Sequence, residues 1–415
     1  MISTRDIEAL HRVSMLSELP PWQFELVVEA AEAVEAKKGA LIVERGSDDG
    51  YTYFLTEGEV DLEAADGVST RLEVTQDSIR TPVANLRPRI LSVRARGQVR
   101  GIRLPDIVLS AAGWNGRGAR QGLITVDGEG EEVRRQSETE LSFQLYRDLR
   151  SDKAVLPSLP DLALRIRRAI EDEVSDARSV ARLVESDPAM AAKLLKAANS
   201  AMYGGLTPVE SCPAAVVRLG MQTTKHLVLS FALKDVFKAS SPMIQKRMQV
   251  LWKHSSQVAA LCFVLSREAG LPPEESLLIG LVHDVGAIAV LNYIERFPDL
   301  AENEAGLEDT IDRMRGELGA MILRKWAFPP AVVAGARDAE NWLRQHPGKA
   351  DFTDLLIVAQ VHERLRKHQL EGLPELERIS ALKRVLGDDL TPERSLEIMH
   401  EAKAQADEMR SVLRG

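Results

Sequence analysis

The chain is short of several things. It has two cysteines, Cys212 and Cys262, in 415 residues, and both stand in apolar surroundings. That excludes a disulfide framework and a zinc ribbon, and leaves buried free thiols in a reducing compartment as the expectation. Basic residues are in deficit, with a net charge of −9, which argues against the whole molecule being a nucleic-acid binder but leaves room for a local basic patch. The opening MISTRDIEAL has acidic residues and no apolar segment, so it does not read as a signal peptide. No run reaches the roughly 18 apolar residues of a membrane span. A cytoplasmic protein without a membrane span is expected. Internal repeats and low-complexity tracts are absent.

What is present divides into two textures. At roughly 150 residues per domain, the length predicts two or three domains, and a hydrophobic fraction of 45 % is ample for packed cores. A helical segment from Ile7 to Val34 is broken by Pro20-Pro21. Short runs with strand character follow: ALIVERGSDDG, YTYFLTEGEVDLEAADG, TRLEV, ILSVRARG and GLITVDGEG. Glycines 39, 46, 50, 58, 67, 97 and 101 punctuate them, as in an antiparallel sandwich or roll. Residues 131–152 are polar and charged, and read as a helix plus linker. From Leu156 onward the pattern is helical. Ser186-Asp187-Pro188 predicts a cap and first-turn proline opening PAMAAKLLKAANSAMY, with Gly204-Gly205 ending that helix.

The helix followed by GALIVERGSDDGYTYFLTEGEVDL, with Gly39, Gly46 and Gly58, resembles the cyclic nucleotide-binding domain family over about Ile7 to Ala112. The resemblance implies a jelly roll and a phosphate-binding cassette, in which Arg89 of Pro88-Arg89 matches the phosphate arginine. The rest departs from the family. From Ser78 to Pro105 there is no Asp or Glu to hold a ribose, no glycine lies between Val68 and Arg96, and Ile90 and Leu91 replace small residues. The same stretch carries Arg80, Arg87, Arg89, Arg94, Arg96, Arg100 and Arg103. As a strand it puts Ser92, Arg94 and Arg96 on one face and Leu91, Val93 and Ala95 on the other. The arginines are either a solvated face, or an anion site at Arg89, or a docking strip for an acidic partner.

In the second half, Leu156-Pro157, Leu159-Pro160, Asp187-Pro188, Asn199-Ser200, Tyr203-Gly204, Leu219-Gly220, LWKHS and LIGLVHDVG occur in order. This series resembles the HDOD family, the HD-related output domain of bacterial signalling proteins, from about Val155 to at least Trp342. Asn199, Ser200 and Gly220 read as structural positions, with Asn199 bonding backbone near its helix end. Arg165, Arg167 and Arg168 read as a solvated helix face.

His283-Asp284 stands inside the apolar run LLIGLVHDVGAIAVL, where charge is rarely left without a partner. Hydrolases of the HD superfamily use a histidine, a His-Asp doublet and a distant aspartate. The resemblance maps the first three to His254, His283 and Asp284. The distant position falls at Ala359, Gln360 or Val361, with Asp354 too early and His362 slightly late. Ala287 stands where related phosphohydrolases often carry lysine. The expectation is a buried, internally bonded cluster with no cofactor and no catalysis. The alternatives are an idle divalent metal or a working phosphohydrolase. His346, His362, His368 and His400 are expected at the surface.

The tail is charged and helical, and Thr391-Pro392-Glu393 opens a helix with Leu396, Met399, Ala402, Ala406, Met409 and Leu413 near one face. It packs on its own domain or serves a partner or homodimer. The whole reads as a multi-domain α+β chain. Residues 1–130 form a roll with a degenerate cassette, 131–152 a linker, 153–345 an all-α domain and 346–415 a helical extension. The implied role is non-catalytic bacterial signal transduction by contact with diguanylate cyclases, kinases or response regulators. A metal-dependent phosphohydrolase and a cyclic-nucleotide-responsive regulator are the rivals.

Overall fold

A computed structural model describes the chain apart from residues 1, 18, 48, 65–66, 75–80, 85–88, 90, 112–144, 146–156, 172–175, 206, 295–303, 347, 368, 370–372, 388–403 and 414–415. The GLITVDGEG run, the linker 131–152 except Leu145, Arg80, Arg87, Pro88, Ile90, His368 and His400 therefore lie outside the described residues. The chain groups into two units, Met1–Val155 with Tyr293–Arg324 and Leu156–Asn292 with Lys325–Gly415.

The first unit opens with helices α1 (Thr4–Leu10), α2 (Ser14–Ser17) and α3 (Pro21–Ala30). Ser3 caps α1 in a reciprocal box with Asp6, and Pro20-Pro21 separates α2 from α3 with Pro21 in the first turn. Among the described residues seven strands follow: β1 (Glu32–Ala36), β2 (Leu41–Val43), β3 (Tyr51–Glu57), β4 (Glu59–Glu63), β5 (Ser69–Glu73), β6 (Ser92–Ala95) and β7 (Val99–Pro105), then α4 (Asp106–Ala111). The helix expected to run to Val34 stops at Ala30, because residues 32–36 pair with β7 instead. All the ladders are antiparallel, in one sheet of order β1-β7-β3 and another of order β2-β6-β4-β5. Val43, Val60, Val93 and Ala95 from one sheet meet Tyr53, Leu55 and Val99 from the other in a common core. Gly58 turns β3 into β4 at φ +104°, and a Cβ there would lie 2.5 Å from the Gln98 carbonyl oxygen, so the turn requires glycine.

The arginine strip finds its acids on neighbouring strands. Arg94 pairs with Glu63, Arg96 with Asp61, Arg100 with Glu35 and Arg103 with Glu32. Val93 and Ala95 point into the core, as the alternation predicts. These four arginines are thus held in cross-strand ion pairs. α13 (Glu304–Lys325) falls almost wholly in this unit.

The second unit is helical: α5 (Asp161–Glu171), α6 (Ala177–Glu185), α7 (Pro188–Ala198), α8 (Cys212–Leu219), α9 (Met221–Leu233), α10 (Pro242–Ala269), α11 (Pro273–Val282), α12 (Val285–Ile294, its last two residues grouping with the first unit), α14 (Pro330–Arg337), α15 (Phe352–Arg366) and α16 (Ser380–Leu386). Asp187 caps α7 and Pro188 occupies its first turn, as expected, but α7 ends at Ala198, before Gly204-Gly205. α10 lies along α11 and α15, and α16 packs against both α10 and α15. Arg165 and Arg168 are exposed, whereas Arg167 is partly buried and donates to the Trp326 carbonyl. Residues 404–413 form a helix that buries Met409, Val412 and Leu413, while Lys196 donates to the Ser411 carbonyl and Glu408 accepts from the Ala201 N–H. This described part of the tail packs on its own unit.

Cys212 and Cys262 are free and buried, and burial pushes both thiols up in pKa. Pro273–Ile294 does reach, by length and composition, what a membrane span needs, correcting the count of apolar runs; 94 % of its apolar window is buried inside the fold.

Candidate metal centre and its surroundings

α10 is 28 residues long, opened by Pro242 and closed by Gly270, and carries His254 near its middle. α11 ends at His283. The two helices approach so closely at Gly280 that a Cβ there would lie 2.4 Å from the Ala259 Cα. This contact positions the imidazoles, whose ring centroids are 5.2 Å apart.

His283 Nδ1 lies 2.8 Å from the Gly280 carbonyl oxygen. A carbonyl only accepts, so Nδ1 carries hydrogen and a neutral ring presents the lone pair of Nε2 inward. His283 Nε2 is 3.3 Å from Asp284 Oδ2 and 3.3 Å from His254 Nε2, and His254 Nε2 is 3.5 Å from the same oxygen. His283 and Asp284 are buried, and His254 is 25 % exposed. The structure thus brings together the three residues expected from the sequence.

These side chains fit a cation by their donor chemistry. Two imidazole nitrogens and one carboxylate oxygen form a nearly equilateral triangle, and bonds of about 2.0–2.1 Å in a tetrahedral site place ligand atoms about 3.3–3.4 Å apart. A hydrogen on His254 Nε2 shared with His283 or Asp284 also satisfies the triangle without metal.

α15 supplies no fourth vertex from the expected position. Ala359 and Val361 are fully buried in an apolar cluster, and the Gln360 amide donates to the Ala339 carbonyl at 2.6 Å. The carboxylate that does reach the histidines is Glu363, which sequence reasoning missed. Its Oε2 is 3.8 Å from His254 Nδ1, the ring nitrogen opposite the triangle, and its Oε1 is 2.5 Å from Lys367 Nζ. Burial raises the pKa of Glu363, but His254 and Lys367 outweigh it and hold the carboxyl at about 2. The i,i+4 pair Glu363–Lys367 was legible as a pattern; its burial was not.

His362 is buried rather than exposed, and burial lowers its pKa to about 4. His346 is partly buried and lies 2.7 Å from Asp354 Oδ2. Asp354 is fully buried and also accepts from Arg344 and twice from Arg384. With its oxygens engaged by two guanidinium groups, Asp354 is a structural counter-charge and a poor metal ligand. Asn199 bridges to Val209, donating from Nδ2 to the carbonyl and accepting from the N–H, both at 2.8 Å, so it ties down a loop beyond its own helix end. Ser200 Oγ donates to the Ala197 carbonyl, and Gly220 joins α8 to α9. In the roll, Arg89 is buried and bound to Asp49, Ala84 and Tyr51.

The HDOD domain family matches residues 156–342, the stretch that contains His254, His283 and Asp284. Residues 156–342 are an HDOD domain. The HDOD-bearing chain is similar to an uncharacterised protein of Treponema pallidum, 27 % identical over 197 residues, or 45 % of this chain and 38 % of that one. It therefore spans well under half of that relative. It is also similar to a solved structure from Shewanella amazonensis described as a candidate metal-dependent phosphohydrolase. That match is 27 % identical with a TM-score of 0.56, and covers 65 % of this chain and 99 % of the other. Over the roll, a cyclic nucleotide-binding-like protein from Brucella abortus matches at 18 % identity and a TM-score of 0.21, covering 26 % of this chain and 97 % of its own.

Proposed function

We propose that the chain is a cytoplasmic signal-transduction protein whose HDOD domain works through protein contacts and not through hydrolysis. The observation that supports this reading is on α15, where Ala359, Gln360 and Val361 are committed to the core. A hydrolytic metal centre needs enough converging ligands to fix the ion and an open position for water. Buried Ala287 also leaves no cationic side chain at its position. The partners fitting this role are other signalling proteins of the diguanylate cyclase, kinase or response-regulator classes. The test is incubation of the full chain with cyclic dinucleotides and a simple aryl phosphate in manganese, iron or magnesium. No turnover above that of Asp284→Ala is expected; turnover that Asp284→Ala abolishes in a folded protein would overturn the reading.

The triangle of ligand atoms supports a second reading, in which His254, His283 and Asp284 hold a divalent cation that stabilises the helix contact. Such an ion supplies Lewis acidity to whatever oxygen it binds. The chain's own contribution is the Gly280 carbonyl fixing the His283 tautomer and the α10–α11 contact placing His254. Metal analysis of protein purified without chelator separates the readings: a stoichiometric ion lost in Asp284→Ala supports the second.

A further inference from the structure

From Val236 to Arg267 the chain contains no aspartate or glutamate, although it has 62 of them overall. This acid-free stretch covers nearly all of α10 and carries Lys238, Lys246, Arg247, Lys253 and Arg267. Met243, Arg247, Val250 and His254 recur at intervals of four, three and four, so they line up as one straight seam along the helix, about 16 Å long. The seam faces outward. Met243 is 49 % and Val250 65 % exposed, and His254 is the member of the ligand triangle that reaches solvent. Lys246 and Lys253, both exposed, flank the seam on one side, seven residues apart.

The rim beside His254 is basic as well. Glu363 on α15 faces His254 Nδ1 at 3.8 Å, and the exposed Arg366 and Lys367 approach that same buried carboxylate at 3.6 and 2.5 Å. One carboxylate thus meets two cations. The surface where His254 emerges is positive, in a chain whose net charge is −9.

A single exposed apolar side chain is ordinary. Among the described residues the large exposed ones are Leu41, Val68, Val217, Met243, Val250 and Leu343, and Met243 and Val250 are the pair that shares one helix face. An apolar seam with lysines at its flank is the pattern by which one helix receives another of opposite charge. At about three turns, the seam is longer than a small phosphoester and matches a helix.

We propose that this seam of α10 is the docking surface for an acidic amphipathic helix of a partner protein. The partner's apolar residues cover Met243 and Val250, and its carboxylates meet Lys246, Lys253, Arg366 and Lys367. The proposal rests on the contact-based function proposed above and gives it a place: a helix docked there covers the exposed edge of His254.

The test uses the full chain and a fluorescein-labelled synthetic peptide of about 20 residues, long enough to span the seam, with leucines at seam spacing and glutamates on the flanks. One control peptide keeps the leucines and replaces glutamate by lysine; the other keeps the composition in an order that breaks the spacing. Saturable one-to-one binding of the acidic peptide is expected by fluorescence anisotropy. Val250→Asp should weaken it at least about tenfold, as should Lys246→Glu combined with Lys253→Glu, and as should raising the salt from about 0.05 to about 0.5 M. These side chains are exposed, so the variants should fold; Val250→Ser replaces Val250→Asp if the latter does not. Failure of the acidic peptide to bind, equal binding of either control peptide, or unchanged binding by the folded variants would overturn the proposal. So would preferential binding to phosphatidylserine vesicles or to a DNA duplex, or a concentration-dependent dimer that Val250→Asp abolishes. Aryl phosphate turnover is read in the same preparations. Turnover alongside selective peptide binding strikes the non-catalytic reading alone, whereas absence of both strikes this surface alone.

Discussion

Arg384 grips the fully buried carboxylate of Asp354 from both ends, with Nε 2.9 Å from Oδ2 and Nη2 2.7 Å from Oδ1. Arg344 adds a third bond to the same carboxylate at 3.1 Å. Removing the acid leaves Arg384 without its counter-charge at the start of α15, the helix that carries Glu363, while Arg344 keeps Asp351. Asp354→Ala should therefore lose about 3–5 kcal/mol of unfolding free energy in urea titrations. A loss below about 1 kcal/mol would mean that water reaches and screens this cluster.

Gly280→Ala tests the contact that builds the triangle. Its new Cβ meets Ala259 backbone at 2.4 Å, so α10 and α11 must separate. The expected loss is about 1–3 kcal/mol, with a changed His283 chemical shift because its carbonyl partner moves with residue 280. Unchanged stability together with an unchanged His283 signal would refute the close approach.

Much of this arrangement was legible. Asp187-Pro188 announced a capped helix, the alternation of Val93 and Ala95 with Ser92 and Arg94 announced β6, and the doublet His283-Asp284 stood out because its flanks are apolar. What was missed depends on distant pairing. β1 has the composition EAVEA, which local propensity assigns to helix; its partners Arg100 and Arg103 in β7 make it a strand. β7 itself, VRGIRLP, is interrupted by charge and glycine, and only Glu32 and Glu35 opposite it make sense of the arginines. His362 and Glu363 look like the solvated end of an amphipathic helix. α15 is instead buried on all sides from Thr353 to Glu363, a property of its neighbours that spacing along one helix does not report.

Deleting residues 404–415 should destabilise the helical unit. Met409 and Leu413 are fully buried, and burying each such side chain contributes about 1.5–3 kcal/mol. Urea titration of a chain ending at residue 403 should show a clear loss relative to full length. Unchanged stability with altered self-association in sedimentation would return this helix to the partner-binding role.

The last expectation concerns acid. His362 and His226 are both held near a pKa of about 4, His362 by burial and His226 by burial with Lys225 beside it. Below pH 6.5 the unfolded chain takes up these protons while the folded chain does not, so the unfolded state binds more protons and stability falls with falling pH until about pH 4. Glu363 acts in the next window: its folded value of about 2 lies below the ordinary 4.5, so its contribution is present above 4.5 and is lost as the pH falls toward 2. Urea midpoints measured from pH 8 to 3 should slope downward beginning near 6.5. His362→Gln should remove about half of the slope between 6.5 and 4, since one of the two imidazoles held near 4 is gone. Glu363→Gln should leave that slope in place and flatten the curve below 4.5. Should His362→Gln retain the full wild-type slope, His362 is not held neutral by its surroundings, and the acid sensitivity must come from other groups.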